Sequence, residues 1–70
     1  MQPNRIGVAI RRLRRRAGLT QIELAKAAGL HRMTLTHIER GNHPASLDTL
    51  HRIAVALGLN VDIRFSRITT

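Results

Sequence analysis

Residues 20–41 read TQIELAKAAGLHRMTLTHIERG, and this stretch decides the fold. Thr20 followed by Glu23 is a capping box: the hydroxyl accepts an early backbone N–H and the carboxylate reaches back to the cap. The spacing predicts a helix from Thr20 with Leu24, Ala25 and Ala28 inward, ended by Gly29. A second helix follows over Arg32 to Glu39, with Leu35 and Ile38 as its core pair and Gly41 as its stop. Only Gly29, Leu30 and His31 join the two. Two short helices so connected must cross steeply and closely. Ala25 is small enough for the crossing, and Gly29 tolerates the positive φ that the turn demands.

Outward from this pair, the same signals recur. Upstream, Asn4 can cap a helix reaching Ala17, with Ile6, Ile10, Leu13 and Ala17 as one apolar stripe. Arg11, Arg12, Arg15 and Arg16 fall largely off that stripe, and Gly18 offers a stop. Downstream, residues 44–58 read PASLDTLHRIAVALG. Ser46 is the cap, Asp48 favours the first turn, and Leu47, Leu50, Ile53, Ala54 and Leu57 form the buried face. Residues 59–65, LNVDIRF, then alternate apolar and charged, the period of a half-buried strand. The expected organisation is one domain over 1–60, with a strand and tail over 61–70.

Composition narrows the function. The 70 residues carry twelve Lys and Arg against four acids, a formal net charge of +8. Lys26 is the one lysine. Such a balance suits a polyanion, and arginine forks onto phosphate and guanine. Charge alone would also describe a merely solvated surface. There is no cysteine, so disulfides and cysteine-ligated zinc are excluded. Apolar residues make up 43%, and Phe65 is the single aromatic, so the core is built from Leu, Ile, Val and Ala. No stretch has the length of a signal peptide core or a membrane span, which predicts a cytoplasmic protein with no membrane partner. His31, His37, His43 and His51 lack ligand spacing, so no metal is expected. No cofactor loop and no catalytic set can be read, so an enzyme is not expected.

The segments LTQIELA, IERG and SLDTLHRIAVALG make residues 5–59 resemble the lambda-repressor/Cro-like (XRE-type) helix-turn-helix proteins. The resemblance implies a mainly α, four-to-five-helix DNA-binding domain whose third helix enters the major groove of double-stranded DNA. It implies base contacts from Arg32, Met33, Thr36 and His37. Arg32 can fork onto guanine, and Met33 and the Thr36 methyl can pack on thymine methyls. Phosphate contacts are expected from Gln21, Thr34, Arg40 and Asn42, and more weakly from His43 and Ser46. Arg14 is expected to pair with Glu39 as a structural ion pair rather than to touch DNA. One residue departs from the family: His31 stands where Ser or Thr usually caps the recognition helix. Either it contacts phosphate instead, or the helix start frays.

The strand has no partner in its own chain, which leaves unpaired backbone groups. Pairing across a two-fold axis with a second copy solves this, with Val61, Ile63 and Phe65 covering the helices of a homodimer. That arrangement resembles the HipB-like antitoxins. It implies a HipA-like kinase toxin partner and autoregulation of a toxin-antitoxin operon through a pseudo-palindromic operator. A stand-alone chromosomal or prophage repressor is the alternative reading.

Overall fold

The computed structural model describes residues 5–60 together with Asp62 and Ser66. The described residues form four α-helices: α1 (Arg5–Arg16), α2 (Gln21–Ala27), α3 (Arg32–Arg40) and α4 (Leu47–Ala56). The mainly α architecture is the expected one. The strand and dimer residues Val61, Ile63 and Phe65, and the cap residue Asn4, lie outside the described residues.

Each start and stop has a local cause. Thr20 takes the Glu23 N–H at 3.1 Å on its hydroxyl, and the Thr20 N–H donates to Glu23 Oε1 at 2.8 Å. This closes the capping box at the start of α2. The two contacts, backbone first, hold the Glu23 carboxyl below its ordinary range. Ser46 caps α4 by accepting the Thr49 N–H at 3.1 Å. At the end of α2, Gly29 adopts φ +69°, and the Leu30 N–H reaches back to the Ala25 carbonyl at 2.8 Å. Any side chain at Gly29 would be forced into the left-handed region, so the turn requires glycine here. Thr20→Ala removes one acceptor from the α2 start and is expected to cost about 1 kcal/mol. For a domain of this size that is a fall of about 4–8 °C in melting temperature, readable by circular dichroism.

Helix α3 packs against both α1 and α2, and α4 packs against α2. The core is Ile10, Leu24, Ala25, Ala28, Leu35, Ile38 and Ile53, with Leu19, Leu30, Leu50 and Leu57 packed at its edge. Leu24 and Leu35 are fully buried. Each contributes about 1.5–3 kcal/mol by leaving water.

Two expected faces are corrected. The inner face of α1 is Gly7, Ile10 and Arg14, whereas Ile6 is 55% exposed and Ala17 is also exposed. The stripe is rotated because buried Arg14 sits one helical turn from Ile10 and directs α1 toward α3. Leu47 was expected inside α4 but is 64% exposed. As the first residue after the Ser46 cap, it lies at the rim where α4 leaves the core.

Candidate nucleic-acid interface

Helix α3 is positioned by a buried polar network. Arg14 Nε donates to Glu39 Oε2 at 2.7 Å and Arg14 Nη2 donates to Glu39 Oε1 at 3.1 Å. Arg14 Nη1 donates to the Leu19 carbonyl at 2.9 Å, tying the same guanidinium to the end of α1. Gln21 Nε2 also donates to Glu39 Oε1, at 3.1 Å. The Thr36 hydroxyl lies 3.1 Å from Gln21 Oε1 and 3.0 Å from the Arg32 carbonyl, and it can donate to either. One carboxylate therefore clamps the end of α1, the start of α2 and the last turn of α3. A two-pronged guanidinium contact fixes orientation as well as distance.

Burial pushes the Glu39 carboxyl up. The hydrogen bonds from Arg14 and Gln21, with the charges of Arg14 and Arg11, outweigh burial and hold it below its ordinary value of 4.5. The unfolded chain takes up this proton first, so the stabilisation is complete above the ordinary value and is lost as pH falls through the lowered one. Urea midpoints measured on the acid side of pH 5 should fall with pH, and Glu39→Gln should flatten that dependence.

The start of α3 is capped by an imidazole. The Met33 N–H donates to His31 Nδ1 at 3.1 Å, with His31 extended at φ −71°, ψ 141°. Where a phosphate contact or a frayed helix start was expected, the imidazole forms the cap. A donor facing Nδ1 requires that nitrogen to be unprotonated, which leaves the ring proton on the exposed Nε2.

The expected contact residues divide by exposure. Arg32, Met33, His37 and Arg40 all stand exposed on α3. Asn42 and His43 are exposed just after Gly41, whose φ of +77° ends the helix. Thr34 is half-buried. Thr36 is corrected: it is only 8% exposed, and its hydroxyl is held by Gln21 and the helix backbone. The Ser46 hydroxyl is committed to the α4 cap and to Thr49 Oγ1 at 3.0 Å, which weighs against its phosphate role. Gln21 is half-buried and engaged on both sides of its amide.

The coupling of Gln21 to Thr36 and Glu39 was not read from the sequence. A signal was present. Thr36 and Glu39 are three apart, so they share one face of α3.

A short helix pair with a glycine turn, a third helix locking it from behind, and an exposed polar helix face define a helix-turn-helix domain. Residues 5–64 match the family model described as a helix-turn-helix domain, and the chain belongs to that family, whose members are DNA-binding transcription regulators rather than enzymes. It is 43% identical over 56 residues to the immunity repressor protein of Bacillus phage phi105, covering 80% of this chain and 39% of that protein. The chain thus spans about two fifths of that repressor's length. It is 49% identical over 49 residues to an HTH-type transcriptional regulator of Methanothermobacter thermautotrophicus, covering 70% of this chain and 71% of the relative. Among solved structures, the restriction-modification controller protein C.AhdI from Aeromonas hydrophila superposes with a TM-score of 0.76 at 37% identity. That match covers 77% of this chain and 82% of the controller. The clp gene regulator ClgR from Corynebacterium glutamicum gives a TM-score of 0.80 at 32% identity, covering 86% and 64% respectively.

Proposed function

We propose that this chain is a dimeric, sequence-specific repressor that binds double-stranded DNA with α3 in the major groove. The observation that carries this reading is the outer face of α3. Arg32, Met33, His37 and Arg40 are exposed on a helix that the Arg14–Glu39 pair fixes from its buried side, with Met33, His37 and Arg40 facing away from that pair and Arg32 at the edge. Fixed orientation matters because base reading depends on placing donors within a fraction of an ångström of base edges. Arg32, Met33 and His37 read bases. Arg40, Asn42 and Thr34 take phosphates, joined by Gln21, His43 and the exposed Nε2–H of His31. Duplex DNA as the partner puts the protein in the cytoplasm, where occlusion of a promoter would repress it.

Symmetry follows from the dimer. The Val61–Phe65 segment is read as a strand shared between two copies. The apolar groove lined by Ile10, Leu13, Leu50, Ile53, Leu57 and Leu59, of about 200 Å³, opens beside Asn60 and offers a surface for it. Two recognition helices would then enter successive major grooves about 34 Å apart. Truncation after Asn60 should yield a monomer with weaker operator binding. Unchanged sedimentation after truncation would count against the strand.

The phage immunity repressor among the relatives favours a stand-alone or prophage repressor. The antitoxin reading, with its HipA-like kinase partner, rests on the same strand alone. Copurification of a kinase from the native host would support it.

Selection of bound sequences from random duplex DNA tests the main reading. A pseudo-palindrome with half-sites one helical turn apart is the expected result. Equal affinity for all duplexes at physiological salt would overturn it.

A further inference from the structure

The outer surface of α1 is a second basic face that α3 does not use. The buried residues of α1 are Gly7, Ile10 and Arg14. At about 100° per residue, Arg5, Arg12 and Arg16 lie about 140–180° round the helix from that face. All three are exposed. Arg11, Arg12 and Arg15 line a shallow hollow of about 220 Å³ with Val8. Three of the four acids have partners away from this face: Glu23 with Thr20, Glu39 with Arg14 and Gln21, Asp48 with Arg52 at 3.1 Å. None of these contacts involves Arg5, Arg12 or Arg16.

The direction of this face is set by packing. α3 buries Leu35, Ile38 and Glu39 against the body of the domain, and α1 packs on α3. Met33, His37 and Arg40 lie about 150–170° round α3 from that buried face, and Arg32 lies about 70° from it, at the edge. The base-reading surface and the α1 arginines therefore point to opposite sides of the α1–α3 layer. A straight duplex seated on α3 does not reach Arg5, Arg12 and Arg16.

We propose that the outer face of α1 binds the phosphate backbone of a second DNA segment without regard to sequence, so that one protein bridges two duplexes. The dimensions fit. Arg5 to Arg16 spans about 16 Å of helix, a length over which duplex DNA presents about nine phosphate charges. A membrane surface fits less well, because Ile10 is buried and the outer face of α1 offers only the half-buried Val8 and the small Ala9 for insertion, with exposed Ile6 at its flank. The inference rests on the assignment of α3 to DNA.

The test uses the full chain, an immobilised selected operator with both half-sites filled, and a labelled random-sequence duplex in solution. Wild type should capture the labelled duplex at 50 mM salt. In the triple variant Arg5→Gln, Arg12→Gln, Arg16→Gln, the log–log salt slope of capture should be about 3 units shallower, at about 0.9 per lost contact. Between 50 and 200 mM salt, wild-type capture should therefore fall about 40-fold more than the variant's. Operator affinity and its own salt slope should stay within twofold and half a unit of wild type. No capture by wild type, or capture unchanged in the variant, overturns the proposal. So does an operator slope lowered by about 3, which would place the arginines on the same duplex. Preferential capture of anionic lipid vesicles also overturns it. If selection yields no operator, the assignment of α3 fails separately, and bridging of two random duplexes still decides the α1 face. Should the triple variant melt more than a few degrees below wild type, Arg12→Gln alone should change the capture slope by about 0.9.

Discussion

Glu39→Ala is expected to cost the domain about 3–5 kcal/mol, enough to unfold much of it at 37 °C. Glu39 is 2% exposed and Arg14 is 8% exposed. Removing the carboxylate leaves the guanidinium buried with the Leu19 carbonyl, where it had two oxygens of opposite charge. An uncompensated buried charge is expensive because water can no longer solvate it. The Gln21 amide nitrogen loses its acceptor at the same time, leaving that side chain held only by Thr36. A 70-residue domain has only about 3.5–10 kcal/mol of total stability to lose. Urea denaturation followed by circular dichroism measures the cost, and a loss under 1 kcal/mol would show that the pair is not the clamp described. The double replacement Arg14→Met, Glu39→Leu sharpens the point. It removes both charges, so it should be less destabilising than Glu39→Ala, since the penalty lies in stranding one partner and not in losing the pair.

That same network separates what the sequence could and could not reveal. The helix starts and stops were legible because their causes are local: Thr20 with Glu23, Ser46 before α4, and glycines at 29 and 41 act within one turn of the chain. The core residues Leu24, Ala25, Leu35, Ile38 and Ile53 were legible from helical spacing. The pairing of Arg14 with Glu39 came from family resemblance, since nothing local joins residues 25 apart in the chain. Faces were less secure. Ile6 and Leu47 match an apolar stripe, yet a stripe fixes only relative position on the helix, and packing rotated it by a fraction of a turn to bury Arg14. The burial of Thr36 has a related reason. Its hydroxyl can turn back to the carbonyl four residues earlier, so a polar residue can lie inside without a charged partner. His31 shows the converse, because a ring nitrogen served the cap that a hydroxyl would normally supply.

Arg32→Ala is expected to weaken operator binding by about 1–3 kcal/mol, a loss of roughly 5–150-fold, and to relax preference at one base pair per half-site. Arg32 is the first residue of α3, exposed and next to the His31 cap. On the proposed reading, its fork would meet guanine in the major groove, where that base offers two acceptors side by side. Arg40→Ala should behave differently. Arg40 sits in the last turn, and its loss should weaken binding to all sequences alike and lower the log–log salt slope by about 0.9. Titrating both variants against the selected operator and against each single-base change, at several salt concentrations, separates the two roles. Uniform weakening by Arg32→Ala would move this residue to the phosphates. The base reading would then rest on Met33 and His37, which carry no fork and discriminate less. Because the cap is the His31 ring, which accepts the Met33 N–H, and not Arg32, the substitution should leave the melting temperature within a degree or two. A large drop would instead mean that weakened binding reports a disordered helix start.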